Sequence, residues 1–305
     1  MTDQNVVAVV GPTASGKSDL AVDIARFIIS NKKRFSVDGA EIISADSRQI
    51  YKGLDLSSGK ITQKEMRGIK HHLLDIASPR RSFTVAQFQK KAGAVLRDCK
   101  KRNIVPIVCG GTGFWADTLL KGYRLPNVAP NKQLRAGMQK MSVAELFKQL
   151  QTKDPARSKT IDPHNKVRLI RALEIVDAKG HITPLRASSP YRVLWLGIKR
   201  PRTELTKRIH IRLLQRLRAG MIAEIKHTHE CGVSYRRLES LGLEFKWIAR
   251  FLQKKISRDE MINGLEKEII QYAKRQMTWF KKNKNIVWIE KARLPGRVVA
   301  QFLMN

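Results

Sequence analysis

The sequence predicts an α/β protein, a parallel sheet with helices on both faces, and three observations carry that reading. β-Branched apolar runs recur at 6–10, 41–45, 72–76, 104–109, 193–198 and 286–289, each of strand length. Helical periodicity fills most of the intervals, as at 18–29, 85–101 and 114–120, so the strands are joined by crossovers, which are right-handed and lay parallel strands side by side. The first run then leads into Gly-Pro-Thr-Ala-Ser-Gly-Lys-Ser at 11–18 and an amphipathic stretch. Strand, glycine-rich loop and helix in that order form a phosphate-binding loop, which makes the sheet P-loop NTPase-like.

In the loop, Gly11 and Gly16 let the backbone curl with its N–H groups inward, Lys17 adds a point charge, and the helix that follows adds the positive end of its dipole. Gly11, Pro12, Thr13, Ala14, Ser15, Gly16, Lys17 and Ser18 are therefore the candidate diphosphate site. The loop alone does not say which diphosphate it holds.

The second strand runs out into Ser44-Ala45-Asp46-Ser47-Arg48-Gln49. A carboxylate at the carboxyl end of a strand lies near the phosphate socket, where Asp46 can bind Mg²⁺ through water or take a proton from a nucleophile. A helix cap is the competing role for such an Asp. His71 and His72 are adjacent, so on a strand they face opposite sides: one is packed and the other solvated or functional. The fourth strand ends in Cys109-Gly110-Gly111-Thr112-Gly113, whose glycines allow close approach and whose Thr112 can cap a helix and face the same cleft.

Prolines at 126, 130, 155, 163, 184 and 190 punctuate helical stretches between 121 and 190, with no convincing strand. The expected organisation is a core of 1–120 and 191–305 with a helical insertion at 121–190. Basic helices are expected at 203–226, 236–252 and 257–282, the last opened by a capping box of Ser257 and Glu260. On the first of these, Arg208, Arg212 and Arg216 share a face, either as a bidentate phosphate clamp or as a solvated stripe. The stretch 162–174 gathers cations and an amide at a helix start, a possible strand-binding edge. The stretch 271–280 interleaves cations, amides and aromatics, a mixture that contacts phosphates and stacks on unpaired bases, or equally a core face with surface cations.

Composition bounds the partners. The 305 residues are 42% apolar, ample for a buried core, and 59 Lys and Arg against 26 Asp and Glu give a net charge of +33. A field of that sign recruits polyanions through counterion release, so nucleic acid is the favoured partner. Neither a leader peptide nor a run of 18 apolar residues is evident, so no membrane association and a cytoplasmic location are expected. Cys99, Cys109 and Cys231 are odd in number and far apart, which argues against a disulfide framework or a zinc site.

Five stretches in order, GPTASGKS at 11–18, ISADSRQIY at 43–51, GGTGFW at 110–115, DPHNKVRLIRALE at 162–174 and QYAKRQMTWF at 271–280, resemble the motifs of the bacterial-type tRNA dimethylallyltransferase (tRNA isopentenyltransferase) family across nearly the whole chain. The resemblance implies transfer of a dimethylallyl group from dimethylallyl diphosphate to the N6 amine of the adenosine 3′ of the anticodon, with Mg²⁺ and release of pyrophosphate. It implies that Asp46 is the general base and that Lys17, the backbone of Thr13 to Ser18, and Arg212 neutralise the leaving group. Ser18 would be the metal-side hydroxyl and Thr112 a channel residue beside the target base. Asp46, Ser47, Arg48 and Gln49, together with Arg135, Val167, Arg168, Leu169, Ile170, Arg171, Lys274 and Arg275, would face the tRNA anticodon stem-loop. A monomer is the simplest expectation for such a partner. Where many members have Gly-Tyr-Lys-Glu, this chain has Gly242-Leu243-Glu244-Phe245. The alternatives from other classes are a P-loop kinase of a small molecule or nucleoside, and a non-enzymatic RNA-binding protein.

Overall fold

The structure is a computed structural model that describes residues 4–290 and 293–305. It divides into two units, Met1–Gly122 with Ser189–Asn305, and Tyr123–Ser188. The larger unit begins with β1 (Gln4–Val10), α1 (Lys17–Ser30), α2 (Lys32–Phe35), β2 (Gly39–Ser44), α3 (Gln63–Met66), β3 (His71–His72), α4 (Val85–Lys101), β4 (Ile104–Gly110) and α5 (Gly113–Leu120). The smaller unit holds α6 (Lys132–Lys140), α7 (Val143–Lys153), α8 (Pro155–Ser158) and α9 (Lys166–Lys179). The larger unit resumes with β5 (Tyr191–Lys199), α10 (Arg202–Arg218), α11 (Met221–Glu230), α12 (Tyr235–Leu241), α13 (Leu243–Leu252), α14 (Arg258–Phe280), β6 (Ile286–Glu290) and α15 (Gly296–Met304).

The six strands form one parallel sheet in the order β3-β2-β4-β1-β5-β6. Because strand side chains alternate, Val6, Ala8 and Val10 of β1 enter one apolar layer and Val7 and Val9 the other. α1 and α15 cover the second layer, with Leu20, Ile24, Ile28 and Val299 fully buried. α4, α5 and the helices α10 to α14 cover the first, where Phe88 stacks on Trp115 with ring centroids 4.5 Å apart. Central β1 is thus buried on both faces, as a continuous Val-rich run requires.

Three expectations are corrected. The third strand covers only His71–His72 rather than 72–76, because Leu73 and Asp75 take φ of 65° and 55°, outside strand geometry, and the Asp75 carboxylate is held by Lys60 at 2.5 Å. The helix expected at 203–226 breaks into α10 and α11 at Gly220 (φ 101°), and that at 236–252 into α12 and α13 at Gly242 (φ 75°), where only glycine is unstrained. The reciprocal capping box of Ser257 and Glu260 opens α14.

The smaller unit has its own apolar core of Met138, Leu146, Leu150, Leu169, Ile170 and Leu173. Its charged centre is Glu174, whose side chain is 1% exposed and accepts from Arg135 Nε and Nη2 at 2.9 and 2.8 Å, from Arg171 Nη1 and from the Asn131 backbone. No helix among the described residues is long and apolar enough to cross a membrane.

Candidate active site

Residues 11–18 leave the carboxyl end of β1 and enter α1. The first N–H groups of that helix have no intrahelical acceptor and point at the loop's interior. Lys17 Nζ folds back on the Pro12 carbonyl at 3.3 Å. Burial holds the Lys17 ammonium below its ordinary range, with Cys109 and Asp46 opposing that shift and Arg212 adding to it. Ser15 Oγ is buried with no protein partner among the described residues. One expected member of the cradle is already engaged: the Thr13 N–H donates to Gln276 Oε1 at 2.8 Å.

Asp46 is not a helix cap. It lies in the loop after β2, and its Oδ1 accepts the Arg48 backbone N–H at 2.9 Å, an Asx turn that fixes the carboxylate and leaves Oδ2 without a hydrogen bond among the described residues. The loop is fastened to the end of β4, where the Ala45 carbonyl accepts the Thr112 N–H at 3.3 Å. Gly110 permits this approach, since a Cβ there would lie 2.2 Å from the Ala45 carbonyl oxygen. Thr112 stands at the start of α5 but its side chain caps nothing. Its hydroxyl oxygen instead accepts the Ser47 N–H at 3.0 Å.

Lys17, Ser18, Ser44, Asp46, Gln49, Cys109 and Gly110 line one cavity, together with the apolar Ala21, Ile42 and Ile61 and with His71. The two histidines do face opposite ways. His72 Nε2 meets Glu41 at 2.7 Å beneath the sheet, whereas His71 lines this cavity with Nδ1 on the Ile69 carbonyl at 2.8 Å. Burial lowers the pKa of His71, so its ring stays neutral near pH 7. Burial likewise pushes the Cys109 thiol up to about 12, which keeps it protonated.

The arginine row of α10 is not an open clamp: Arg208 is exposed and Arg212 and Arg216 are half-buried, and all three donate to backbone carbonyls. Arg208 Nε donates to the Ala14 carbonyl at 2.8 Å, Arg212 Nη2 to the Gly59 carbonyl at 3.0 Å, and Arg216 to the Leu56 carbonyl and to Glu244 at 2.9 Å. Burial and then Arg216 lower the pKa of Arg212, and both Lys17 and Arg212 border Asp46 closely enough to feel its charge. Glu244, in the segment that departs from the family pattern, has a structural role as the buried partner of Arg216. Arg200, not foreseen from the sequence, donates from Nε to the Ser15 carbonyl at 2.7 Å. Its one signal was its place at the end of β5, the strand beside β1.

α14 closes the site. Tyr272, Gln276 and Trp279 turn inward, while Lys274 and Arg275 are exposed, Arg275 with its guanidinium 5.8 Å from the centre of the Tyr272 ring. Burial, reinforced by Asp46, raises the Tyr272 phenol to about 12. Trp279 Nε1 donates to Asp117 at 2.9 Å, and its ring fills the space over Gly113.

The remaining expected RNA contacts separate by burial. In the smaller unit Val167 is 73% exposed and Arg168 is exposed, whereas Leu169 and Ile170 are buried in that unit's core and cannot offer side chains to a partner. Arg135 and Arg171 are committed to Glu174. In the larger unit Gln49 is spent on Ser44 and the Gly59 carbonyl, leaving Ser47 and Arg48 beside Asp46.

Comparison with known proteins follows the same lines. Residues 49–283 match the family described as IPP transferase, and residues 4–86 that described as isopentenyl transferase. The tRNA dimethylallyltransferase 2 of Treponema denticola is 44% identical over 91% of this chain and 92% of its own. The tRNA dimethylallyltransferase of Thermomicrobium roseum is 37% identical over 93% and 86%. The crystal structure of the tRNA isopentenylpyrophosphate transferase from Bacillus halodurans superposes with a TM-score of 0.71 at 31% identity, over 99% of this chain and 95% of that one.

Proposed function

This chain belongs to the IPP transferase family and prenylates tRNA, and we propose that it moves a dimethylallyl group from dimethylallyl diphosphate to the N6 amine of the adenosine 3′ of the anticodon, releasing pyrophosphate. One observation supports this most: Lys17 and Ser18 of a diphosphate loop and the carboxylate of Asp46 line a single cavity. Leaving-group charge and an acceptor proton can be handled side by side there.

The allylic carbon tolerates positive charge, so the chain's main task is to stabilise the departing pyrophosphate. Lys17 and the open N–H groups at the start of α1 supply fixed positive charge there, and Arg212, held by the Gly59 carbonyl, adds its field from near Asp46. As the C–O bond to the diphosphate breaks, the N6 nitrogen forms its bond to the allylic carbon. Asp46, oriented through Oδ1 by the Arg48 N–H, takes the amine proton. Thr112 and Tyr272 stand next to Asp46 on the acceptor side of the site. The adenine must leave its stack to enter, which costs a few kcal/mol and favours a loop nucleotide.

The oxygen donors of Ser18 and Asp46 on the cavity wall suit a hard divalent cation such as Mg²⁺. Ser18 and Asp46 would hold it, and when bound it supplies further positive charge to the pyrophosphate oxygens. The exposed cations Arg168, Lys274 and Arg275 and the net charge of +33 are the basis for steering the stem-loop, taken up by a monomer in the cytoplasm.

The deciding experiment incubates the protein with dimethylallyl diphosphate, Mg²⁺ and an anticodon stem-loop, without ATP, and reads nucleoside mass. Gain of one dimethylallyl group on adenosine is expected. ATP turnover without RNA, and no such product, would overturn the reading in favour of a kinase.

A further inference from the structure

We propose that Gln276 is a positioning residue that fixes the distance between the diphosphate loop and the acceptor side of the site, so that the allylic carbon is captured by the amine rather than by water. The proposal rests on the prenyl-transfer reading above and assigns the alignment step of that reaction to one side chain.

Gln276 sits in a stretch rich in cations, yet it is only 5% exposed. Its Oε1 accepts the Thr13 N–H of the diphosphate loop at 2.8 Å, and its Nε2 donates to the Gly111 carbonyl at 2.8 Å. One carboxamide therefore joins the loop after β1 to the loop after β4, next to Thr112. The partners dictate its orientation: an N–H needs an acceptor and a carbonyl needs a donor, a pair of demands that neither a carboxylate nor an ammonium meets. Flanking residues on the same face hold the crosspiece in place, Trp279 through Asp117 at 2.9 Å and Tyr272 against the Asp46 and Thr112 side. The Gly111 end of the link is buried and the Thr13 end partly buried, which makes it stiff, because breaking the Gly111 bond leaves a backbone carbonyl unpaired away from water.

Such stiffness matters for this chemistry. Misplacing a reacting atom by about 1 Å can cost on the order of a hundredfold in rate. When the C–O bond breaks, pyrophosphate keeps the electron pair and the allylic carbon needs a nucleophile. A misaligned amine leaves water to supply it: the water oxygen bonds to carbon, a proton is released, and dimethylallyl alcohol forms alongside pyrophosphate. The signature of a loosened bridge is thus a change in partition as well as a slower reaction.

Two single variants break the bridge in different ways. Gln276→Ala removes the carboxamide. Gly111→Ala keeps it but places a Cβ 2.3 Å from Nε2 and at an ordinary 3.5 Å from Lys17 Cε, which forces the amide aside. The full-length protein and both variants are assayed with dimethylallyl diphosphate, Mg²⁺ and the stem-loop for kcat, KM, thermal midpoint and the ratio of free alcohol to prenylated RNA. Each variant is expected to lose roughly tenfold to a hundredfold in kcat with KM for the stem-loop little changed, and to raise the alcohol ratio about tenfold. In the double variant the Ala side chain makes room for the new methyl, so the two losses should not add. Wild-type partition in both folded variants, or additive losses, would overturn the proposal. A wild-type protein that transfers nothing to the stem-loop would instead overturn the activity itself, and the two failures are read separately. Should Gln276→Ala melt early, Gly111→Ala carries the test.

Discussion

Thr112 and Ser47 are joined twice, the Thr112 hydroxyl oxygen accepting the Ser47 backbone N–H at 3.0 Å and lying 3.3 Å from the Ser47 hydroxyl. The pair ties the loop after β2 to the loop after β4 and so fixes the platform on which Asp46 stands. Thr112→Val keeps the shape and removes both hydrogen bonds, leaving the Ser47 N–H unpaired. The expected outcome is a fall in kcat of about tenfold to a hundredfold, on the scale of a displaced catalytic group, with restoration by Thr112→Ser. Steady-state kinetics on the stem-loop checks it, and full activity of the Val variant would show that the platform does not need this link.

Asp46 itself is oriented but not consumed, since only Oδ1 is held by the Arg48 N–H. Asp46→Ala should abolish prenyl transfer, because no other carboxylate lines the cavity among the described residues. tRNA affinity should stay within a few-fold, because binding rests on many phosphate contacts. Parallel measurement of transfer rate and of stem-loop binding separates the two. Near wild-type transfer would remove Asp46 from the role of general base.

The net charge of +33 predicts a steep dependence of tRNA affinity on salt. Each phosphate contact that releases a counterion steepens the slope of log K against log salt by somewhat less than one unit. Binding titrations between low and moderate salt should therefore show an affinity falling by orders of magnitude. A flat profile would exclude electrostatic steering as the purpose of the charge.

Much of this was legible in the sequence, and what was not has identifiable causes. The loop at 11–18 and the strand ends at Asp46 and Thr112 could be found because each combines an apolar run with a chemistry-bearing residue at a fixed offset. α4 was legible to the residue, Val85–Lys101, from its helical periodicity, and the structure adds a capping box of Thr84 and Gln87 at its start. The third strand was overextended because 72–76 keeps an apolar pattern while its backbone turns at Leu73 and Asp75. Local sequence could not say that Gln276 and Thr13, 263 residues apart, are hydrogen-bonded, nor that Arg135 and Arg171 serve Glu174. Those pairings exist only once the chain has folded, and residue type alone leaves RNA contact and ion pair equally open.

Glu174 yields the last prediction, which concerns the smaller unit alone. Burial pushes its carboxyl up, but the hydrogen bonds from Arg135, Arg171 and the Asn131 N–H outweigh burial and hold it at about 2, below the ordinary 4.5. A carboxylate whose pKa is lowered by folding stabilises the fold fully above its unfolded value, and that contribution is lost as pH falls through the folded value. The window is therefore pH 4.5 down to about 2, and the contribution at neutral pH is on the order of 3 kcal/mol. Hydrogen exchange across α6 to α9 should show protection that declines steadily as pH drops below 4.5 in the wild-type protein. Position 174 cannot titrate in Glu174→Gln, so that variant should be less protected at neutral pH and decline less through the same window, the remaining slope coming from Glu145, whose carboxyl the Ser142 cap also holds below its ordinary range. Parallel pH profiles for the two proteins would show that the pairs with Arg135 and Arg171 do not hold this unit together.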